Sequence, residues 1–352
     1  MKKIIVLLFI MLIPIKVNAI SASAYIVMDS DNNRVLEGAN INKESLIASI
    51  TKIMTSMVVI NNGSLDETIT IGDEVLKSFG SGIYVSVGEK IKKEELLYGL
   101  MLRSGNDAAI ALAYDTGGSM EGFAKLMNEL ATSIGMKNSN FVNSSGLENG
   151  DEANISTVYD MALLSSYAIK NEEYRKIVGT KDITVKTDLK TYVWHNKNRL
   201  LSSYKYCIGG KTGYTERAKR TLVTNASKNN VNLTVVTFND DNDFNEHKYL
   251  YEKYFNILKN YQILKKGKFK TNIDNTYIDK DYYMSLTKEE YQRVEINVNY
   301  YEENATNVIG VLEVKLDGKT YFEEDIIKKE ESFKDEKISF LDKLKGKIAS
   351  LW

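Results

Sequence analysis

Cysteine, proline and histidine are scarce in this chain, with one Cys, one Pro and two His among 352 residues. Cys207 alone cannot form an internal disulfide, so the fold must rest on its core. The one proline, Pro14, lies close to the N-terminus, which leaves later turns to Gly, Asn and Asp, as in Asp31-Asn32-Asn33 and Asp317-Gly318. His195 and His247 stand 52 positions apart and no His-Glu-x-x-His occurs, a poor basis for a zinc site, so no metal is expected. Neither histidine has the setting of a Ser-His-Asp triad. A Cys207–His195 thiol pair can be drawn, but a lone buried cysteine is more often a small apolar residue. Net charge is −1, which gives no reason to expect nucleic-acid binding.

What is present points to an exported globular protein. Lys2 and Lys3 precede an apolar run from Ile4 to Ile15, too short to span a bilayer comfortably, and Val17-Asn18-Ala19 offers small residues at a cleavage position. We read 1–19 as a signal peptide, with an uncleaved anchor as the alternative. At 43% hydrophobic content and this length, one large domain plus a smaller one is expected. Strand patterns fall at Ala24–Met28 and Arg34–Leu36, then again at Gly210–Thr215, Thr221–Ala226 and Asn232–Phe238. Between them, helical spacing runs through Ser49–Ile60, Lys93–Arg103, Asp107–Tyr114, Met120–Ile134 and Thr157–Ile169, and a helix over Asn245–Phe255 closes the region. Strands at both ends and helices between them predict an antiparallel sheet covered by a helical lobe, an α+β fold over 20–262. Ile296–Tyr300 and Leu312–Leu316 alternate, and Asp317-Gly318 suits a hairpin, so 263–335 reads as a small β-rich C-terminal domain. In 336–352 the residues Phe340, Leu341, Leu344, Ile348, Leu351 and Trp352 share a helical face ringed by lysines, as in an amphipathic membrane-anchor helix. The alternative is a helix packed on its own protein.

Without a catalytic histidine, a serine can be activated by a neutral lysine amine. Ser49-Ile50-Thr51-Lys52 supplies both groups at a spacing that puts them on one face at the start of a helix. The helix terminus favours negative charge on the serine oxygen, and burial with a second cation nearby would lower the Lys52 pKa. The spacing alone is weak, since Ser202-x-x-Lys205 and Ser285-x-x-Lys288 share it. Two further motifs follow in order. Ser104-Gly105-Asn106 lies between helices, and Lys211-Thr212-Gly213 leads into a strand. The set Ser-x-x-Lys, Ser-x-Asn and Lys-Thr-Gly is shared by class A β-lactamases and penicillin-binding proteins.

With these motifs in Ala48–Thr55, Leu97–Met101, Ser104–Ala109, Ser156–Ala162 and Gly210–Thr215, the chain resembles the serine-type D-alanyl-D-alanine carboxypeptidases, the low-molecular-mass penicillin-binding proteins of peptidase family S11. The resemblance covers about Ala24 to Phe255 and implies a β-lactamase/penicillin-binding-protein-like catalytic domain. It implies that Ser49 attacks the carbonyl between two terminal D-alanines of a peptidoglycan stem peptide, and that Lys52 takes its proton. Ser104 would pass a proton toward the leaving amine. Asn106 would bind the peptide amide and hold Lys52, and Lys211 and Thr212 would bind the terminal carboxylate. The N–H groups of Ser49 and Tyr214, beside Gly213, would form the oxyanion hole. β-Lactams would acylate the same serine. No cofactor is implied, and the enzyme would work outside the cytoplasm, on the outer face of the membrane through its C-terminal helix.

Two positions depart from the family pattern. Lys219 replaces the usual glycine and is followed by Arg220; these side chains either add charge near the site or face solvent, the default for Lys and Arg. Ser145 stands before Gly146-Leu147 where many relatives carry His. Two other readings remain: a secreted class A-like β-lactamase, for which neither Glu148 nor Glu152 has the expected spacing to an Asn, and a non-catalytic protein that binds β-lactam or peptidoglycan.

Overall fold

A computed structural model describes residues 20–301 and 306–329. The expected signal peptide (1–19) and anchor helix (336–352) lie outside the described residues. Among those described, no helix is long and apolar enough to cross a membrane.

Contacts divide the chain into two units: residues up to Lys228 with Asn232–Tyr254, and Asn229–Val231 with Phe255 onward. The border thus falls upstream of the expected 262/263. In the first unit the strands of the largest sheet are β1 (Ala24–Asp29), β2 (Arg34–Ala39), β3 (Cys207–Thr215), β4 (Lys219–Lys228) and β5 (Val231–Phe238). They form one sheet in the order β2-β1-β5-β4-β3. β1 pairs antiparallel with β5, Val27 opposite Val235, and β4 with β3, Leu222 opposite Thr212. The two ends of the chain segment thus meet mid-sheet, and β3 becomes an edge strand.

The helical lobe includes α1 (Lys52–Asn61), α2 (Lys93–Leu102), α3 (Asn106–Gly117), α4 (Met120–Ser133) and α5 (Val158–Ala168); α6 (Asp243–Ile257) follows β5. The expected apolar face of α1, with Ile50 just before it and Ile53, Met54, Met57 and Val58 on it, is at most 1% exposed. In fact Lys52 through Val59 are all buried. A helix buried on every side is the centre of its lobe, not a surface element, and a polar side chain on it can only point into the protein. The lobe and sheet share one apolar cluster that includes Ile26, Met28, Leu97, Phe123, Leu164, Val223 and Phe238.

In one respect the local structure differs from expectation. The Ser49 helix does not start as an α-helix: Ala48–Thr51 form a 3-10 turn and the α-helix begins at Lys52. Three residues per turn make positions i and i+3 eclipse, which sets Ser49 directly over Lys52.

In the second unit the strands are β6 (Lys259–Leu264), β7 (Gly267–Lys268), β8 (Thr276–Ile278), β9 (Tyr282–Leu286), β10 (Val294–Tyr300), β11 (Val308–Leu316) and β12 (Lys319–Lys328). β7-β8-β12-β11-β10 form one sheet, and β6 pairs with β9. Leu312, Val314 and Leu316 lie in its core with Ile278, Met284 and Ile326. Asp317 and Gly318 both take positive φ, 51° and 78°, the backbone that a two-residue hairpin needs. β10 was correctly read as a strand, but it lies at the sheet edge, so Ile296 and Tyr300 stay 42% and 38% exposed.

Candidate active site

Three separate segments converge on Ser49: the buried helix α1, the loop into α3, and the edge strand β3. The Lys52 side chain is wholly buried. Its Nζ lies 3.1 Å from Ser49 Oγ and 2.8 Å from Asn106 Oδ1, and also meets the Ser145 carbonyl oxygen. A neutral amine has two N–H donors and one lone pair. Asn106 and Ser145 take the donors, and the lone pair remains for the serine hydroxyl. Burial holds Lys52 well below the usual lysine range, and the charges of Lys211 and Lys197 push it the same way. The environment therefore favours the protonation state a base requires.

The surroundings of Lys52 are themselves fixed. Asn106 Nδ2 donates to Phe79 O at 2.7 Å, so both ends of that amide are engaged. Asp107, next in α3, accepts the backbone N–H groups of Ile83, Tyr84 and Val85. It thereby pins the loop that carries Ser81. On the other side, Thr55 Oγ1 donates to Ser144 O, and Asn143 Oδ1 accepts from the N–H groups of Ser145 and Gly146. The Ser145 contact with Lys52 is made by its main chain, so serine serves there as well as histidine would. Gly146, at φ 81°, packs so tightly that a Cβ would stand 1.9 Å from Ala48 O. Ala48 (φ 49°) and Ser104 (φ 64°) both adopt the left-handed conformation rare in non-glycine residues. Backbone strain of this kind collects at functional sites.

The Lys-Thr-Gly segment lies on β3. Lys211, 1% exposed, bonds through Nζ to Ser104 Oγ at 3.1 Å and to Thr212 O at 2.7 Å. Burial pushes it down to about 7, and Lys197 adds to the effect. A Cβ on Gly213 would come within 3.0 Å of Ser49 N, so only glycine lets the strand run this close to the nucleophile turn. An open cavity of about 520 Å³ is lined by Ser49, Ser104, Thr212, Gly213 and Tyr214, and by Ser81, Lys197, Arg199, Arg220 and Phe244.

The structure thus gathers all eight expected residues, Ser49, Lys52, Ser104, Asn106, Lys211, Thr212, Gly213 and Tyr214, with a distinction the motifs do not carry. Five line the cavity, while Lys52, Asn106 and Lys211 lie behind its wall. The five additional lining residues were missed as site residues, although Arg220 had been noted. Of the two readings left open for this pair, Lys219 follows the solvent one, whereas Arg220 adds its charge to the site. Its guanidinium lines the cavity and is clamped by Asp243, Nε to Oδ2 at 3.1 Å and Nη2 to Oδ1 at 2.8 Å. Arg199 and Arg220 both lie over the Phe244 ring, at 4.7 and 5.8 Å. The other Ser-x-x-Lys matches lie elsewhere: Ser202 is exposed on a short helix, and Ser285 is buried in β9 of the second unit. No thiol pair forms either. His195 pairs with Asp182 on an exposed hairpin, and burial pushes Cys207 up to about 11.

A family profile described as "D-alanyl-D-alanine carboxypeptidase", peptidase S11, matches residues 13–242. The chain belongs to this family. Among S11 relatives it is 36% identical over 225 residues to D-alanyl-D-alanine carboxypeptidase DacF of Bacillus subtilis, covering 62% of this chain and 57% of that one. It is 41% identical over 198 residues to the D-alanyl-D-alanine carboxypeptidase of Streptomyces sp. strain K15, covering 51% and 67%. The chain therefore spans little more than half the length of the Bacillus relative. In structure it is similar to penicillin-binding protein 5 of Haemophilus influenzae, with TM-score 0.74, 26% identity, and coverage of 88% of this chain and 96% of that one. The fold is the α+β penicillin-binding-protein fold that the resemblance implied, with the separate β-rich C-terminal region that the alternating pattern predicted.

Two outcomes test this geometry. Gly146→Ala should destabilise the first unit by about 1–3 kcal/mol, because the clash is with backbone that cannot rotate away; a denaturant titration measures it. The second concerns pH. Lys211 has a folded-state pKa near 7, below its unfolded value, so between pH 7 and 9.5 the unfolded chain holds the extra proton. Stability should therefore rise with pH there, by up to roughly 1.4 kcal/mol per unit from this group. Lys211→Met should show a clearly shallower rise in unfolding midpoint over the same range.

Proposed function

We propose that this protein is a serine-type D-alanyl-D-alanine carboxypeptidase that removes the terminal D-alanine from peptidoglycan pentapeptides through an acyl-enzyme on Ser49, and that penicillin acylates the same residue. The observation that carries this reading is the buried Lys52 amine, 3.1 Å from Ser49 Oγ with its other two positions occupied. Lys52 takes the hydroxyl proton as Ser49 Oγ bonds to the scissile carbonyl carbon. The oxyanion is received by the N–H groups of Ser49 and Tyr214, which need no reorganisation to bind it. Ser104, bonded to Lys211, relays to the departing D-alanine nitrogen the proton that Lys52 took, which leaves Lys52 neutral again for the attack of water. Water then attacks the ester and restores Ser49.

Recognition of the terminal carboxylate involves more groups than the Lys-Thr-Gly motif. Thr212 faces the cavity, whereas Lys211 acts from behind and is readily neutralised. Guanidinium groups keep their charge at any physiological pH, so Arg199 and Arg220 supply the durable positive charge of the cavity. Asp243 occupies Nε and Nη2 of Arg220, and among the described residues Nη1 has no partner, leaving it for an anion.

The location follows from the substrate, which lies outside the cytoplasm. Removal of a leader at 1–19 and attachment through an amphipathic helix at 336–352 complete the proposal. The β-lactamase reading is not favoured: Glu148 accepts from Thr215 Oγ1, approaches Arg217 and is not part of the cavity wall.

Intact-mass measurement after penicillin, with peptide mapping, should place the adduct on Ser49. Ser49→Ala should lose all labelling, while Ser202→Ala and Ser285→Ala label normally; labelling of Ser49→Ala would refute the assignment. Arg220→Gln should lower kcat/KM for a peptide ending in free D-Ala-D-Ala about 10- to 100-fold, the worth of one charged hydrogen bond. It should change much less for the same peptide ending in a carboxamide.

A further inference from the structure

At the edge of the first unit lies a pair of acids that the reaction does not use. Asp240 follows β5 and is 0% exposed; Glu246, in the first turn of α6, is 6% exposed. Both reach the same residue. Ser21 Oγ lies 3.2 Å from Asp240 Oδ1 and 2.7 Å from Glu246 Oε1, with one hydrogen to give to either, and Ser21 N donates to Glu246 Oε1 at 2.9 Å. The second oxygen of each acid, Asp240 Oδ2 and Glu246 Oε2, is buried without a hydrogen-bond partner. No lysine or arginine among the described residues pairs with either. Burial pushes Asp240 up to about 6, and the charge of Glu246 adds to this. Two adjacent buried carboxylates with unfilled oxygens lack a cation.

We propose that this pair is the docking site for the chain's own α-ammonium at Ile20, created when the leader is cut away after Ala19. Hydrolysis adds water across the Ala19–Ile20 bond. Ala19 leaves with a carboxylate, and Ile20 keeps the nitrogen, which takes up a proton. That nitrogen belongs to the residue next to Ser21, whose own N–H and hydroxyl already bind the acids, and two of its three donors suffice for the two unfilled oxygens. The segment cannot drift away, because Ser23 N donates to Phe238 O at 3.0 Å and Asn40 Nδ2 to Ser23 O at 2.8 Å.

The site also adjoins the catalytic cavity. Asp240 N donates to Arg220 O, Asp240 Oδ1 accepts from Asn242 N, and Asp243 clamps the Arg220 guanidinium. Docking therefore completes the turn that supports the arginine wall of the cavity, and ties maturation of the N-terminus to the shape of the site.

This inference rests on the leader reading under the proposed function, and the two fail separately. Intact mass of the exported protein shows whether Ile20 is its first residue. Docking is tested on chain 20–352 released from a fusion so that Ile20 carries a free amine, beside the same chain with one glycine ahead of Ile20, which moves the amine by about 3.8 Å. The α-amine pKa, read by 15N NMR of labelled Ile20, is expected to rise at least one unit above the usual 7.7–8.0. Tm should exceed that of the glycine-extended chain by about 4 °C or more. Asp240→Asn and Glu246→Gln should each remove most of the pKa rise. An ordinary α-amine pKa in the wild-type chain, the same as in Asp240→Asn, would overturn the proposal whatever the Tm values.

Discussion

The structure is organised around one amine whose hold on a proton is weakened by burial. Lys52 lies on a helix with no solvent face, so its charge would have to be carried in the interior of the lobe. Two other lysines, Lys211 and Lys197, add repulsion. A buried ammonium without a carboxylate partner is strongly disfavoured, and the neutral form is the one that can accept a proton from Ser49. The same burial that makes the lobe stable therefore tunes the proposed base. Asn106 and the Ser145 carbonyl complete the arrangement by taking the amine's two hydrogens, which aims the lone pair at the hydroxyl.

Around that centre the parts have distinct tasks. The 3-10 turn sets Ser49 over Lys52. Glycines at 146 and 213 allow two backbone segments to approach the turn more closely than any side chain permits. The edge position of β3 leaves one side of the Lys-Thr-Gly strand without a partner strand, open to the cavity. Carboxylates act mainly at a distance from the chemistry. Asp107 holds the loop bearing Ser81, and Asp243 holds Arg220. Three basic side chains, Lys197, Arg199 and Arg220, thus line the cavity, and Asp243 clamps the last of them, which suits the proposed substrate with its terminal carboxylate.

Much of this was legible in the linear chain. Apolar periodicity located the helices and strands, because one buried face per element leaves a repeating trace. The motifs picked out Ser49, Lys52, Ser104, Asn106 and Lys211–Gly213, because their chemistry depends on short fixed spacings, and the family resemblance added Tyr214. Asp317-Gly318 marked its hairpin because few residue pairs tolerate two positive φ angles. The trace was weaker at the unit border, where one continuous helix, Asp243–Ile257, crosses it without a change in composition.

Tertiary structure alone decided the rest. Lys197, Arg199, Arg220 and Phe244 reach the cavity from separate segments, and no local spacing connects them. Arg220 looked like a solvated strand residue because its partner, Asp243, lies 23 positions away. The choice among three Ser-x-x-Lys matches also depended on folding. The neighbouring motifs favoured Ser49, but only packing buries one of the three lysines against a serine, an asparagine and a carbonyl. Local sequence sets dihedrals and periodicity, whereas desolvation and charge at a point depend on everything that folds around it.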